Sequence, residues 1–193
     1  MNRFLFVCSL FFCFSCNSTS PSAEKMAAQG KENSPLADSL AKVKLRAYDL
    51  AKEEIPVFDG KIPLVISAPD SAVIEPNVVS VIENGISITK GSFRVNIDIY
   101  QQLKEANETA ELVKQHEWLQ LKRDTSLAKV SLVHENATGF VYKIENKTTG
   151  VDYSFFYAVV KNNALYEIQP AMNMLGNYEL AEIEWMYQSV QQK

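Results

Sequence analysis

Tyr153-Ser154-Phe155-Phe156-Tyr157-Ala158-Val159-Val160 is the stretch on which the fold turns. Aromatic and β-branched residues fill both alternate sets, so neither face of an extended segment here is polar. Such a strand has to be covered on both sides, which makes it a central strand of a sheet. Just beyond it, Asn162-Asn163 supplies two residues that tolerate left-handed backbone, and a strand near 164–169 returns. Upstream, strands are expected near 129–134 and 139–145, with turns at Asn136 and over Asn146–Gly150. The stretch 151–160 is therefore one strand of a four-strand meander.

Further upstream, Phe93, Val95, Ile97 and Ile99 alternate with Arg94, Asn96 and Asp98, a half-buried strand. Ile62 to Ser67 and Val78 to Ile82 are short apolar runs. Asn84-Gly85 reads as a type I′ hairpin turn leading into Ile86 to Thr89. Between the two strand groups a helix is expected from about Tyr100 to Arg123, interrupted near Asn107. Its apolar face carries Leu103, Ala106, Ala110, Val113 and Trp118 or Leu121. Ser34-Pro35 reads as a helix start. Leu36, Leu40, Val43, Ala47 and Leu50 then form one stripe ending before Ile55-Pro56, where the residue preceding proline avoids the helical region. Gly176-Asn177 precedes a last helix, about Tyr178 to Gln191, with Leu180, Ile183, Met186, Tyr187 and Val190 inward.

That order specifies an α+β fold, an antiparallel β-sheet covered by helices, with a central helix and a C-terminal helix. Over residues 60 to 191 it resembles the PsbP-like α/β/α sandwich, down to a last strand ending Tyr166-Glu167-Ile168 and a final helix running Glu182 to Val190. The resemblance implies a non-catalytic accessory or assembly role, in a group whose members are mostly exported or lipid-anchored.

The N-terminus sets the compartment. Met1-Asn2-Arg3 is a short positive region, Phe4 to Phe14 is almost wholly apolar, and Ser15-Cys16 follows. About 20 apolar residues are needed to span a bilayer, so eleven read as an export signal rather than a membrane helix. All three cysteines, Cys8, Cys13 and Cys16, lie in this segment. A disulfide within the folded part is thereby excluded. The segment resembles a bacterial lipoprotein signal, whose lipobox ends in a small residue and the acylated cysteine. Cys13 stands where that family usually has Leu, so the lipobox is a relaxed one. The resemblance implies cleavage after Ser15 and lipid attachment at Cys16, with diacylglycerol on its sulfur and a further acyl chain on its amine. Two or three chains give lasting membrane residence where one gives only marginal binding. Asn17 and Ser18 offer no acidic retention signal, so the resemblance implies the periplasmic face of the outer membrane.

Residues 1–15 are thus the signal peptide, 16–34 a flexible tether and 35–193 a single domain. From Asn17 to Ser34 only Met26 is a sizeable apolar group, too little to offset ordering entropy. Eighteen such residues reach about 23 Å on the scale of 5–6 Å × √n.

Nineteen basic and 23 acidic residues give a formal charge of −4, which becomes −5 once Arg3 leaves with the signal. That balance excludes a nucleic-acid binder. Lys42, Lys44, Arg46 and Lys52 interleave with Asp49, Glu53 and Glu54, which makes no basic stripe. His116 and His134 are each followed by Glu, yet H-E-x-x-H fails at Gln120 and Thr138, so no metal or cofactor is expected. The glycines are scattered singly, without a phosphate loop. Gly85-Ile86-Ser87-Ile88-Thr89 lacks the second glycine of a nucleophile elbow. Glu182 and Glu184, two apart on a helix, do not face each other.

Phe140, Tyr142, Tyr153, Phe155, Tyr157 and Tyr166 crowd three neighbouring strands, as core or as the wall of a pocket. Asp38-Ser39-Leu40 and Asp70-Ser71-Ala72 resemble acceptors of bacterial O-glycosylation. Asn107, Asn136 and Asn146 begin N-x-T triplets that matter only in a eukaryote. The expectation is a lipid-anchored envelope protein that binds an envelope protein partner or supports assembly, with no catalytic residue assigned. The alternatives are a carrier of a small apolar or lipidic ligand in the aromatic region, and a carboxylate-dependent hydrolase.

Overall fold

The computed structural model describes residues 35–55, 61–77, 85–100, 108–124, 129–173 and 176–191. The export segment, Cys16 and the tether lie outside these residues, as do Ser34, the run Val78 to Ile82, Asn84, Leu103, Ala106 and Asn107. In chain order the elements are α1 (Pro35–Leu40), β1 (Leu45–Asp49), β2 (Val65–Pro69), β3 (Val73–Pro76), β4 (Gly85–Lys90) and β5 (Phe93–Tyr100). There follow α2 (Ala110–Arg123), β6 (Val130–Glu135), β7 (Gly139–Asn146), β8 (Gly150–Lys161), β9 (Ala164–Pro170) and α3 (Leu180–Val190). β1 and β2 pair as an antiparallel ribbon; the other seven strands form one antiparallel sheet, ordered β3-β4-β5-β9-β8-β7-β6. The fold is α+β, an antiparallel sheet with helices packed on it.

β8 lies inside the sheet between β7 and β9, and its two faces go to two different helices. Phe155 and Tyr157 pack with Val141, Tyr166 and Ile168 beneath Ile183, Met186 and Tyr187 of α3. Phe156 and Ala158 pack with Phe140 and Leu165 beneath Val113 of α2. An isolated helix of α3's eleven residues is marginal in water. Full burial of Ile183, Met186 and Val190 contributes about 1.5–3 kcal/mol each, so packing, more than propensity, holds it. At its start the Glu179 amide donates to the Glu182 carboxylate at 3.1 Å. α2 is capped by Thr109, whose hydroxyl oxygen accepts from the Leu112 amide at 3.3 Å.

The turns follow backbone chemistry. Asn162 (φ 54°) and Asn163 (φ 60°) join β8 to β9 with Lys161 opposite Ala164, the left-handed pair of a type I′ hairpin. Asn136 closes the β6–β7 turn, its side-chain oxygen accepting from the Thr138 and Gly139 amides at 3.0 and 2.8 Å. β6 has a bulge between Leu132 and His134, which interrupts regular pairing along this edge of the sheet.

Four expectations are corrected. The helix expected from Pro35 toward Leu50 ends at Leu40, and Leu45–Asp49 is a strand opposite Val65–Pro69. Lys42-Val43-Lys44-Leu45-Arg46-Ala47 also alternates polar with apolar, and the partner strand decides for that period. The Tyr48 hydroxyl locks the choice, donating to the Pro69 carbonyl and accepting from the Ala72 amide, both at 3.0 Å. Tyr100 ends β5 opposite Leu165 and does not start the middle helix, which begins at Ala110. The strand expected over Ile62 to Ser67 is Val65–Pro69, preceded by buried Ile62 and Leu64. Gly85 opens β4 as a strand residue paired with Asp98; the tight turn is Gly91-Ser92, with Gly91 left-handed at φ 60°. Val113, with Ala110, Trp118 and Leu121 packed around it, forms the inward face of α2 as expected.

Candidate functional site

The pleat of the β1–β2 ribbon sorts its residues onto two faces. Tyr48, Ile66 and Ala68 enter the core. Leu45, Ala47, Val65 and Ser67 turn the other way and line a groove of about 610 Å³. Leu45 and Val65 remain 40% and 49% exposed, large apolar side chains that the domain leaves in water. α3 supplies the rest of the wall from its last turns, with Trp185, Gln188, Ser189 and the following Gln191. Trp185 is fixed by an edge-on contact with Phe93, ring centroids 5.3 Å apart. The Ser189 hydroxyl is occupied at 2.7 Å by the Met186 carbonyl.

Among the described residues, Lys161, at the end of β8, is the one charged residue in this lining. Among the described residues its ammonium has no ion-pair partner. Asp49 feels it only weakly. Its carboxyl is held below the usual range first by the hydrogen bond from Lys52, 2.8 Å away, and only lastly by Lys161. The groove thus combines an apolar strand face, side-chain amides, an indole and one ammonium without an ion-pair partner among the described residues. The sequence hides it, because Leu45 and Ala47 fall within a helical stripe and Val65 within the short apolar run Ile62 to Ser67. The signal that could have found it was the period-2 alternation over 42–47.

The paired acids required by a hydrolase have their nearest counterpart elsewhere. Asp98 and Glu167 face each other across β5 and β9. Like charges directly opposite are destabilising, and nearby donors offset this. Gln169 donates to the buried Asp98 carboxylate at 3.2 Å, Asn77 approaches it at 3.5 Å, and the Tyr100 hydroxyl donates to Glu167 at 3.1 Å. Burial, then the charge of Glu167, pushes the Tyr100 hydroxyl well above the ordinary tyrosine range. Burial likewise raises the Glu117 carboxyl on α2. The arrangement is a polar network knitted through the sheet, its acids taken up by amide and phenol donors.

The six aromatic residues do not form one platform. Tyr153, Phe155, Tyr157 and Tyr166 belong to the α3 face of the sheet, Phe140 and Tyr142 to the α2 face. Phe140 stacks with Phe156 at 5.6 Å and meets Trp118 edge-on at 5.3 Å. Phe140, Phe155, Tyr157 and Tyr166 are buried in the two cores, and Tyr142 and Tyr153 are half-buried against them.

His116 is exposed on α2. His134 sits 50 residues from Glu184 in sequence, yet its Nε2 lies 2.7 Å from that carboxylate, and its ring meets Tyr187 edge-on at 5.5 Å. Glu182 turns to the α3 cap instead, so the two glutamates serve different partners. Among the described residues no cluster of three or more His, Cys, Asp or Glu could hold a metal ion. The basic residues of the ribbon are partly paired, Arg46 with Glu53 at 3.7 Å and over the Tyr48 ring at 4.8 Å. Ser39 is exposed on α1, and Ser71 is exposed with left-handed backbone (φ 61°) between β2 and β3. Asn136 and Asn146 spend their side-chain oxygens on their own turns.

No protein-family model and no curated protein matches the chain.

Proposed function

We propose that the protein is a lipid-anchored envelope lipoprotein, attached through Cys16, whose domain is a non-catalytic binding or assembly module facing the periplasm. The observation that carries this is the apolar segment ending in Ser15-Cys16, with every cysteine of the chain confined to it. The tether that follows lacks the apolar residues to fold, which suits a spacer between membrane and domain. The groove beside the ribbon supports a binding role, because its lining offers apolar contact, amides and one charge. The helix on each face of the sheet is consistent with the PsbP-like likeness.

Metabolic labelling with palmitate tests the anchor. Wild-type protein is expected to incorporate label and the Cys16→Ala variant none; equal labelling of both would overturn the anchor. Crosslinking in intact cells tests the role. Recovery of a specific envelope protein supports it, and background-level recovery counts against it.

A further inference from the structure

We propose that the groove between the β1–β2 ribbon and α3 binds a single-chain amphiphile with a carboxylate head, such as a long-chain fatty acid. The apolar chain lies along Leu45, Ala47 and Val65, and the head meets Lys161. This deepens the reading of the domain as a binding module and does not depend on acylation of Cys16.

Three observations converge on that ligand class. The groove's volume, about 610 Å³, falls within the 300–1,000 Å³ typical of small-molecule sites. Its floor is the one face of the ribbon that leaves two large apolar side chains, Leu45 and Val65, nearly half exposed. A ligand chain laid there removes apolar surface from water on both partners. Among the described residues of its lining the single formal charge is the ammonium of Lys161, in a chain whose net charge is negative. The local positive charge therefore runs against the overall field and selects an anionic head. Asp49, committed to Lys52 at 2.8 Å, does not take that role.

The head is matched to a monoanion. The last turn of α3 lies in the lining, and helix C-terminal carbonyls present partial negative charge. Against that partial negative charge the one ammonium among the described lining residues leaves room for a single carboxylate, whereas a phosphate dianion would meet more repulsion. The amides of Gln188 and Gln191 can donate to carboxylate oxygens.

Trp185 makes the site readable. The sequence has two tryptophans, and Trp118 packs on Phe140 in the other core cluster, across the sheet. The experiment uses the exported chain, residues 16–193, with Cys16→Ser, titrated with dibrominated stearate, whose bromines quench indole fluorescence at short range. With Trp118→Phe, so that Trp185 reports alone, saturable quenching is expected. With Trp185→Phe, so that Trp118 reports alone, little quenching is expected. Lys161→Ala should weaken binding by about tenfold or more, the scale of a lost charge-assisted hydrogen bond. The methyl ester of the same acid should bind as weakly to the parent as the acid does to Lys161→Ala.

Equal quenching of both tryptophans, no saturation, or equal affinity for acid and ester would each overturn the proposal. So would tighter binding of a single-chain phosphate amphiphile than of the acid. Should Trp118→Phe fail to fold, native mass spectrometry of the Cys16→Ser chain with stearate and methyl stearate decides the same question. Palmitate labelling of Cys16 reads the anchor separately, so failure of one is distinguishable from failure of the other.

Discussion

Gly139 shows how one residue can carry a tertiary contact. A Cβ at this position would lie 2.5 Å from a ring carbon of Tyr157, 2.8 Å from the Phe156 carbonyl oxygen and 2.9 Å from the Tyr187 hydroxyl. The carbonyl belongs to the neighbouring strand and cannot yield without disturbing the sheet. Gly139→Ala is therefore expected to destabilise by about 1–3 kcal/mol, the cost of overpacking a filled site. The measurement is a lower urea midpoint at unchanged slope, and an unshifted midpoint would contradict the close packing. Glu117 carries the opposite kind of cost. Burial raises its carboxyl above the ordinary 4.5, so the folded state holds the proton more tightly than the unfolded chain does. Stability contributed by the neutral form is then present below the ordinary value and is lost as pH rises through the raised one. Glu117→Gln is expected to raise the Tm by about 1–3 °C at neutral pH and to leave it unchanged well below pH 4.5, by thermal melts at both. In the sequence Gly139 opens the strand expected over 139–145, and Glu117 lies in the expected middle helix. The rings that crowd Gly139 belong to Tyr157 and Tyr187, 18 and 48 residues further along the chain, and no local pattern encodes such distances.

At the scale of elements, legibility follows where the deciding contacts lie. The strands of the β6–β9 meander match the expected ranges to within a residue or two, because each is bounded by turn residues beside it in sequence. The Asn162-Asn163 turn is the plainest case. Both residues hold left-handed backbone, which Asn tolerates and a β-branched residue does not. Asn163→Val is expected to cost about 1–2 kcal/mol, whereas Asn163→Gly should be neutral or stabilising. Thermal melts give the magnitude; hydrogen exchange of the amides flanking the turn shows whether β8 and β9 keep their register. A valine variant as stable as the parent would mean that the rest of the hairpin sets this turn. The ribbon is the contrary case. Residues 36–50 carry a helical stripe and a strand alternation superimposed, and each is locally adequate. The partner Val65–Pro69 and the two Tyr48 hydrogen bonds, reaching 21 and 24 residues along the chain, decide between them.

For the whole molecule, β9 is the joint. It pairs with β5 on one side and β8 on the other, fusing the early strands and the late meander into one sheet. The late α3 then packs across that sheet, with Met186 near the Arg94 amide 92 residues upstream. The candidate groove is likewise assembled from β1, β2, the end of β8 and α3, four parts separated along the chain. By itself the sequence determined the α+β class, the order of most elements and the two-sided burial of β8. Those follow from side-chain period and turn chemistry, which act over a few residues. Only the tertiary structure decided that Leu45–Asp49 is a strand, that the six aromatic residues divide between the two faces of the sheet, and that Lys161 stands beside an apolar face. The physical reason is common to all three: each depends on which distant surface packs against the segment, and burial free energy has no counterpart in local sequence.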